Sequence, residues 1–308
     1  MFPSHILSAS QFLDHKTLET IFQKAAFYKK EVLNKQKLDV LSGSILATLF
    51  FEPSTRTRLS FEAAMLRLGG QVISCENASG HSSAKKGESI ADTARMISGY
   101  ADVLVMRHTE NGAALEASKY ATIPVINAGD GSGEHPTQAL LDVFTIQEKF
   151  GTLENLKIGL LGDLLYGRTV HSLSQILASF VGVELYFISP QKLKLPAEFK
   201  ELLQAQNVKM YEIDDLNLVI SELDVLYVTR IQKERFEDLD EYENLKHSFR
   251  VNDQTLTKMK TESIILHPLP RVNEITTDVD ADPRAKYFEQ ARNGLFVRMA
   301  LLELVLGR

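Results

Sequence analysis

The chain has 308 residues, 44% of them hydrophobic and 24% charged, with a formal net charge of −6 and a single cysteine, Cys75. That length passes the roughly 250–300 residues at which single cores stop growing, so two domains are expected. The acidic balance weighs against nucleic acid and anionic membrane surfaces as partners, no run approaches the ~20 apolar residues of a membrane span, and one cysteine supports neither an internal disulfide nor a thiolate metal site.

The first residues, MFPSHILSASQFLD, have no basic segment followed by an apolar one. This gives the expectation of no signal peptide and a reducing, cytoplasmic location. Residues 11–35 carry Leu18, Ile21, Phe22, Ala25, Ala26 and Tyr28 near helical spacing. SILATLFF (44–51) is a continuous apolar run, as in a buried parallel strand, and 55–68 is helical in pattern up to Gly69–Gly70. Val72 and Ile73 suggest a strand, SGHSSAKKG (79–87) a polar loop, 88–99 a helix, and ADVLVMR (101–107) and TIPVINAG (122–129) further strands. A helix follows over 136–149. A second series begins at Gly151, with strands at 156–163, 183–190, 223–230 and 263–270, a helix at 168–180, and a closing helix over 286–308. This alternation predicts an α/β protein of two domains, each a parallel sheet flanked by helices, joined by interdomain helices. The divisions expected are 1–134 plus 286–308, and 135–285.

Several motifs fall where strands give way to helices. Ser54-Thr55-Arg56-Thr57-Arg58 places hydroxyls and guanidinium forks at a helix start, where free backbone N–H groups and the positive dipole end favour anions. Lys85 and Lys86 lie in a Ser/Gly loop, which would suit an anion or simply be solvated. Arg107 ends a buried strand, the edge at which open α/β sheets bind ligands. His135 and Gln138 share one helix face behind Pro136, and both side chains can donate to a carbonyl oxygen. Arg168 again falls at a helix start. The run GLLGDLLYG (159–167) lacks the G-x-G-x-x-G dinucleotide fingerprint. Thr229–Arg235 follows another strand, and His267-Pro268-Leu269-Pro270 is a turn stiffened by two prolines, leaving carbonyls free to accept. Repeated arginines at strand ends in an acidic chain point to a small polyanionic ligand.

The run FEPSTRTRLSFE (51–62) resembles the carbamoyl-phosphate signature of the transcarbamylases, and the whole chain resembles the aspartate carbamoyltransferases of bacterial type. KKGES (85–89), MRH (106–108), NAGDGSGEHPTQ (127–138), GDLLYGRTVHSL (162–173), TRIQKER (229–235) and HPLPRVNEI (267–275) match in order. The resemblance implies transfer of a carbamoyl group from carbamoyl phosphate to the amine of L-aspartate, an early step of de novo pyrimidine biosynthesis, with no cofactor and no metal. It implies that Ser54, Thr55, Arg56 and Thr57 hold the phosphate, and that Arg107, His135 and Gln138 engage the carbonyl and amide end. The carbonyls of Leu269 and Pro270 would accept from the NH2 group, and Arg168, Arg230 and Gln232 would hold the aspartate carboxylates. Ser82 and Lys86 match residues that reach a neighbouring subunit's site, with Ser82 meeting carbamoyl phosphate there and Lys86 meeting aspartate and acting in catalysis. A homotrimer with shared active sites is thereby implied. Residues 79–84, SGHSSA, depart from the family's form, which bears on Ser82 more than on Lys86. Relatives work as bare trimers or with a zinc-containing regulatory chain, and HTENGAA (108–114) is similar to the latter type. Ornithine carbamoyltransferases share the first signature but typically carry a cysteine at the HPLP turn, where this chain has none. A nucleotide-dependent dehydrogenase is the rival of another class.

Overall fold

A computed structural model of the chain describes residues 2–76, 87–231, 240, 242 and 249–307. It divides into two compact units, one of residues 1–144 with 292–308, the other of residues 145–291.

In the first unit, α1 (His15–Leu33) is capped by Asp14, whose carboxylate accepts from Lys16 N and Thr17 N. Its buried face is Leu18, Ile21, Phe22, Ala25 and Tyr28, the stripe read from the spacing. Four parallel strands follow: β1 (Ile45–Phe50), β2 (Gln71–Glu76), β3 (Val103–His108) and β4 (Val125–Asp130). Their order is β2-β1-β3-β4. β1, β3 and β4 are almost wholly buried, whereas β2 is a largely exposed edge. Ala47, Leu49, Leu104, Met106 and Val125 pack against Ala94 and Ile97 of α3 (Ile90–Ser98) and Ala114 and Ala117 of α4 (Ala113–Tyr120). Between β1 and β2 runs α2 (Thr55–Arg67). It stops at Gly69, whose φ of +87° and whose approach to the Asp39 backbone, 2.9 Å from where a Cβ would stand, require glycine.

The second unit holds β5 (Lys157–Leu161), β6 (Glu184–Ile188), β7 (Lys209–Ile213), β8 (Val225–Val228) and β9 (Ile264–Leu266), all parallel, in the order β7-β6-β5-β8-β9. The helices α6 (Arg168–Leu177), α7 (Ala197–Ala205) and α8 (Asp253–Lys258) belong to it. Its core joins Leu161, Ile188, Leu226, Val228 and Ile265 to Leu223, Val251, Val279 and Tyr287. The unit limits fall inside α5 (Pro136–Phe150) and α9 (Tyr287–Val305).

Each sheet reverses its winding once. In the first unit the reversal lies between β1 and β3, in the second between β5 and β8. Such switch points leave a crevice beyond the carboxyl ends of the strands, where the flanking loops part in opposite directions.

Candidate active site

At the first switch point, β1 runs into Phe51-Glu52-Pro53 and then α2. Ser54 is the N-cap, with extended backbone (φ −158°, ψ 95°), and its hydroxyl makes no capping hydrogen bond. A cap hydroxyl that does not serve its own helix can serve a ligand. Thr55 and Arg56 are exposed on the first turn, while Thr57 is buried. The two arginines separate in role. Arg58 is drawn sideways to Glu76 of β2 at 2.8 Å and lies 3.8 Å from Glu62, so it braces helix to strand.

Arg107, at the carboxyl end of β3, is 8% exposed. Its guanidinium pairs with the Glu52 carboxylate and donates to the Ala128 carbonyl of β4 at 3.3 Å. Its own carbonyl accepts from Phe51 N at 2.8 Å. Arg107 thus ties the β1–α2 turn, β3 and β4 together at the reversal. Next to it, His108 packs its ring on Phe51, with centroids 4.6 Å apart, and its Nδ1 accepts from Glu110 N at 3.0 Å. Burial lowers its pKa, against the opposing pull of Glu110 and Asp130.

After β4 the chain turns over Asp130, whose carboxylate takes N–H groups from Gly112 (2.7 Å) and Glu134 (3.0 Å). Glu134 is fixed in turn by Ser8 Oγ (2.5 Å) and Ala9 N (2.6 Å). This delivers buried His135 to the start of α5, where its carbonyl accepts from Gln138 N and Ala139 N. The Gln138 amide donates to Asp142 Oδ1 at 2.8 Å, one turn along. Beneath them lies Arg298 of α9, buried over the Phe61 ring, 5.0 Å away. Burial pulls its pKa down to about 10, with the Asp142 charge opposing.

In the second unit, Gly162 follows β5 with φ +121°, and a Cβ there would stand 2.3 Å from the Thr229 carbonyl oxygen. Only glycine permits that approach. Thr229 Oγ1 accepts from Asp163 N at 3.1 Å and donates to the Leu161 carbonyl at 3.2 Å. Asp163, fully buried, accepts from Tyr166 N at 2.9 Å. The loop ends at Arg168, the first residue of α6, half-buried like Arg230. A small cleft opens there, lined by Leu161, Gly162, Thr229, Arg230, Asn273 and Glu274 among others. It lies at the carboxyl ends of β5 and β8.

Beyond β9, His267 is 2% exposed, and its backbone N–H donates to Gln290 Oε1 at 2.8 Å. Its Nδ1 accepts from Leu269 N at 2.7 Å, and its Nε2 lies 2.8 Å from Glu274 Oε1. Leu269 is left-handed (φ +55°) and joined to Pro270 by a cis bond. Burial alone would raise the Glu274 pKa, but hydrogen bonds from the His267 ring and the Val272 N–H hold it below the usual value. Arg271 is bidentate on Asp280, with Nη2–Oδ2 at 2.6 Å, and packs on the rings of Tyr287 and Phe288.

Of the residues singled out from sequence, Ser54, Thr55, Arg56, Thr57, Arg107, His135 and Gln138 all lie at the carboxyl end of the first sheet. Arg168, Arg230, Leu269 and Pro270 lie at that of the second. Ser82, Lys86 and Gln232 fall outside the described residues. Glu52, Asp142, Asp163, Thr229, Glu274 and Arg298 received no role in the sequence reading, and Glu52 stands inside the very run that carried the first motif. Among the described residues, no group of three or more His, Cys, Asp or Glu side chains is placed to hold a metal ion.

Comparison with known proteins gives two family matches. Residues 4–148 match "Aspartate/ornithine carbamoyltransferase, carbamoyl-P binding domain", and residues 154–305 match "Aspartate/ornithine carbamoyltransferase, Asp/Orn binding domain". The chain is 53% identical over 304 residues to a chloroplastic aspartate carbamoyltransferase of Arabidopsis thaliana, covering 98% of this chain and 78% of that protein. It is 52% identical over 300 residues to an aspartate carbamoyltransferase catalytic subunit of Methanocaldococcus jannaschii, covering 97% and 96%. Among solved structures, the M. jannaschii catalytic subunit superposes with a TM-score of 0.92 at 49% identity, over 99% of this chain and 98% of that one. Aspartate transcarbamoylase from Trypanosoma cruzi in complex with carbamoyl phosphate and aspartate gives 0.92 at 41%, over 97% and 95%.

Proposed function

The chain belongs to the aspartate/ornithine carbamoyltransferase family, and we propose that it transfers the carbamoyl group of carbamoyl phosphate to the amine of L-aspartate, releasing N-carbamoyl-L-aspartate and phosphate in pyrimidine biosynthesis. The supporting observation is that each unit carries cations where its strands end, Arg56 and Arg107 in the first and Arg168 and Arg230 in the second. The first suits a phosphate with a carbonyl, the second a dicarboxylate. An ornithine side chain would instead need an acidic partner. Among the described residues, the acid lining the second cleft is Glu274, and its carboxylate already takes the His267 ring and the N–H groups of Val272 and Asn273.

In this reading Ser54, Thr55, Arg56 and Thr57 bind the phosphate with the first-turn N–H groups of α2. The uncharged aspartate amine attacks the carbonyl carbon, and negative charge grows on the carbonyl oxygen. Arg107, His135 and Thr55 donate to that oxygen, a contribution of about 3–4 kcal/mol per donor in comparable sites. Gln138 binds the amide end, the Leu269 and Pro270 carbonyls accept from its NH2, and Arg56 carries charge on the departing phosphate. The phosphate takes the amine proton, so no protein base is needed. Arg168, Arg230 and Gln232 hold the aspartate carboxylates.

The assembly is a homotrimer in which Ser82 and Lys86 serve the neighbour's site. Exposed Leu59 and Leu66 on α2 and Ile73 on β2 form apolar surface that a second copy would cover. Light-scattering mass separates a bare trimer from a larger assembly with a zinc-containing regulatory chain. The cytoplasm is its place, which fractionation checks. The activity test incubates the purified protein with carbamoyl phosphate and either L-aspartate or L-ornithine. Carbamoyl-aspartate alone is expected, and carbamoyl-ornithine alone would overturn the roles of Arg168 and Arg230.

A further inference from the structure

The segment from His267 to Glu274 closes on itself through two side chains. A backbone N–H can only donate, so the 2.7 Å contact from Leu269 N makes His267 Nδ1 an acceptor. The ring proton therefore sits on Nε2 and is donated to Glu274 Oε1 at 2.8 Å. The other carboxylate oxygen, Oε2, accepts from Val272 N at 3.1 Å and Asn273 N at 2.9 Å. Both side chains are nearly buried, with 1% of His267 and 10% of Glu274 exposed. The base is anchored at each end, since His267 N donates to Gln290 and Val251 N to the Glu274 carbonyl, at 2.8 Å each. Leu269 and Pro270 lie inside this ring of bonds.

We propose that Glu274 is a positioning residue: by holding the His267 ring in its Nε2–H form it fixes the Leu269 amide, and with it the carbonyls of Leu269 and Pro270 that receive the NH2 group of carbamoyl phosphate. This rests on the function proposed above. The relay has a definite polarity. A carboxylate accepts from the ring at Nε2 and from two backbone groups at once. A glutamine has a single accepting oxygen, so its NH2 must face either the ring or those N–H groups. If it faces the ring, the ring proton moves to Nδ1 and opposes the Leu269 N–H.

Two substitutions at His267 separate positioning from bulk packing. Asparagine puts an amide oxygen near the place of Nδ1 and retains the acceptor for Leu269 N–H. Glutamine reaches toward Glu274 as Nε2 does and loses that acceptor. Both remove the same ring, so their melting temperatures should fall together. The loss of one hydrogen bond predicts that His267→Gln raises KM for carbamoyl phosphate roughly fivefold. His267→Asn should recover most of that loss, and Glu274→Gln should behave like His267→Gln. Equal KM values in the two His267 variants, or a change confined to melting temperature, would overturn the inference. If the unsubstituted protein makes no carbamoyl-aspartate, the functional reading itself has failed. If it turns over normally while Glu274→Gln leaves KM for carbamoyl phosphate unmoved, only the positioning role has.

Discussion

Replacing Asp142 with asparagine removes one charge from the interior of the first unit while keeping its shape and an acceptor oxygen. Asp142 is fully buried, accepts from Gln138, and is the charge that supports buried Arg298. With a pKa of about 10, Arg298 remains protonated at pH 7. Neutralising it there would cost about 4 kcal/mol, from three units at 1.36 kcal/mol each. That figure bounds the penalty from above, because deprotonation is the escape route once the carboxylate is gone. Leaving a buried charge without the opposite charge near it costs up to about 3–5 kcal/mol. Asp142→Asn should therefore lower unfolding stability by roughly 3–4 kcal/mol, while the Gln138 amide keeps an oxygen to donate to. The chain has no tryptophan, so urea unfolding is best followed by far-UV circular dichroism. Asp142→Leu with Arg298→Met should recover most of the loss, since replacing both ions by apolar groups of similar volume is often neutral. A loss below about 1 kcal/mol for Asp142→Asn would refute the argument, showing that the guanidinium draws its support from elsewhere.

Arg56→Ala should lower kcat at least a hundredfold with little change in aspartate affinity, as steady-state kinetics with equilibrium binding would report; an unchanged rate would contradict the phosphate role. Gly162→Ala should destabilise the second unit by about 1–3 kcal/mol and raise KM for aspartate, because a Cβ meets the Thr229 carbonyl and φ stays at +121°. Thermal melts and aspartate titrations check the two halves. Glu274 has its folded pKa held below the ordinary 4.5, so its contribution to stability is full above that value and fades as pH falls through the folded pKa. Urea midpoints between pH 5 and pH 3 should fall less steeply in Glu274→Gln. His108 has its pKa depressed below 6.5 by burial, so folding favours its neutral form and that stability is lost as pH drops below 6.5. An NMR titration should find its midpoint below those of exposed histidines.

What could be read in the sequence follows from which forces leave a local trace. The strands β1, β3, β5 and β8 are buried on both faces, so they appear as continuous apolar runs whose limits differ from the observed ones by only a few residues. β7 escapes such a reading because KMYEI is an exposed edge, with Lys209 and Glu212 breaking the apolar pattern and little buried surface. α4 escapes because its buried stripe is alanine alone, at positions 113, 114 and 117, too small for periodicity to stand out. At the site, arginines and hydroxyls at helix starts are local patterns, and these were legible. Their partners were not. Glu52 meets Arg107 across 55 positions, and Asp163 meets Thr229 across 66. Those pairings exist because β1 lies beside β3 and β5 beside β8, a fact of sheet order rather than of any window of sequence. The cations mark themselves by closing an apolar run, as Arg107 does, or by opening a helix, as Arg56 does. The acids that orient cations and turns gain strength by being buried, and in a linear sequence they are indistinguishable from solvated surface. A basic residue at a strand end is thus a good first signal of an anion site, and the acid that aims it has to be sought at the end of the neighbouring strand.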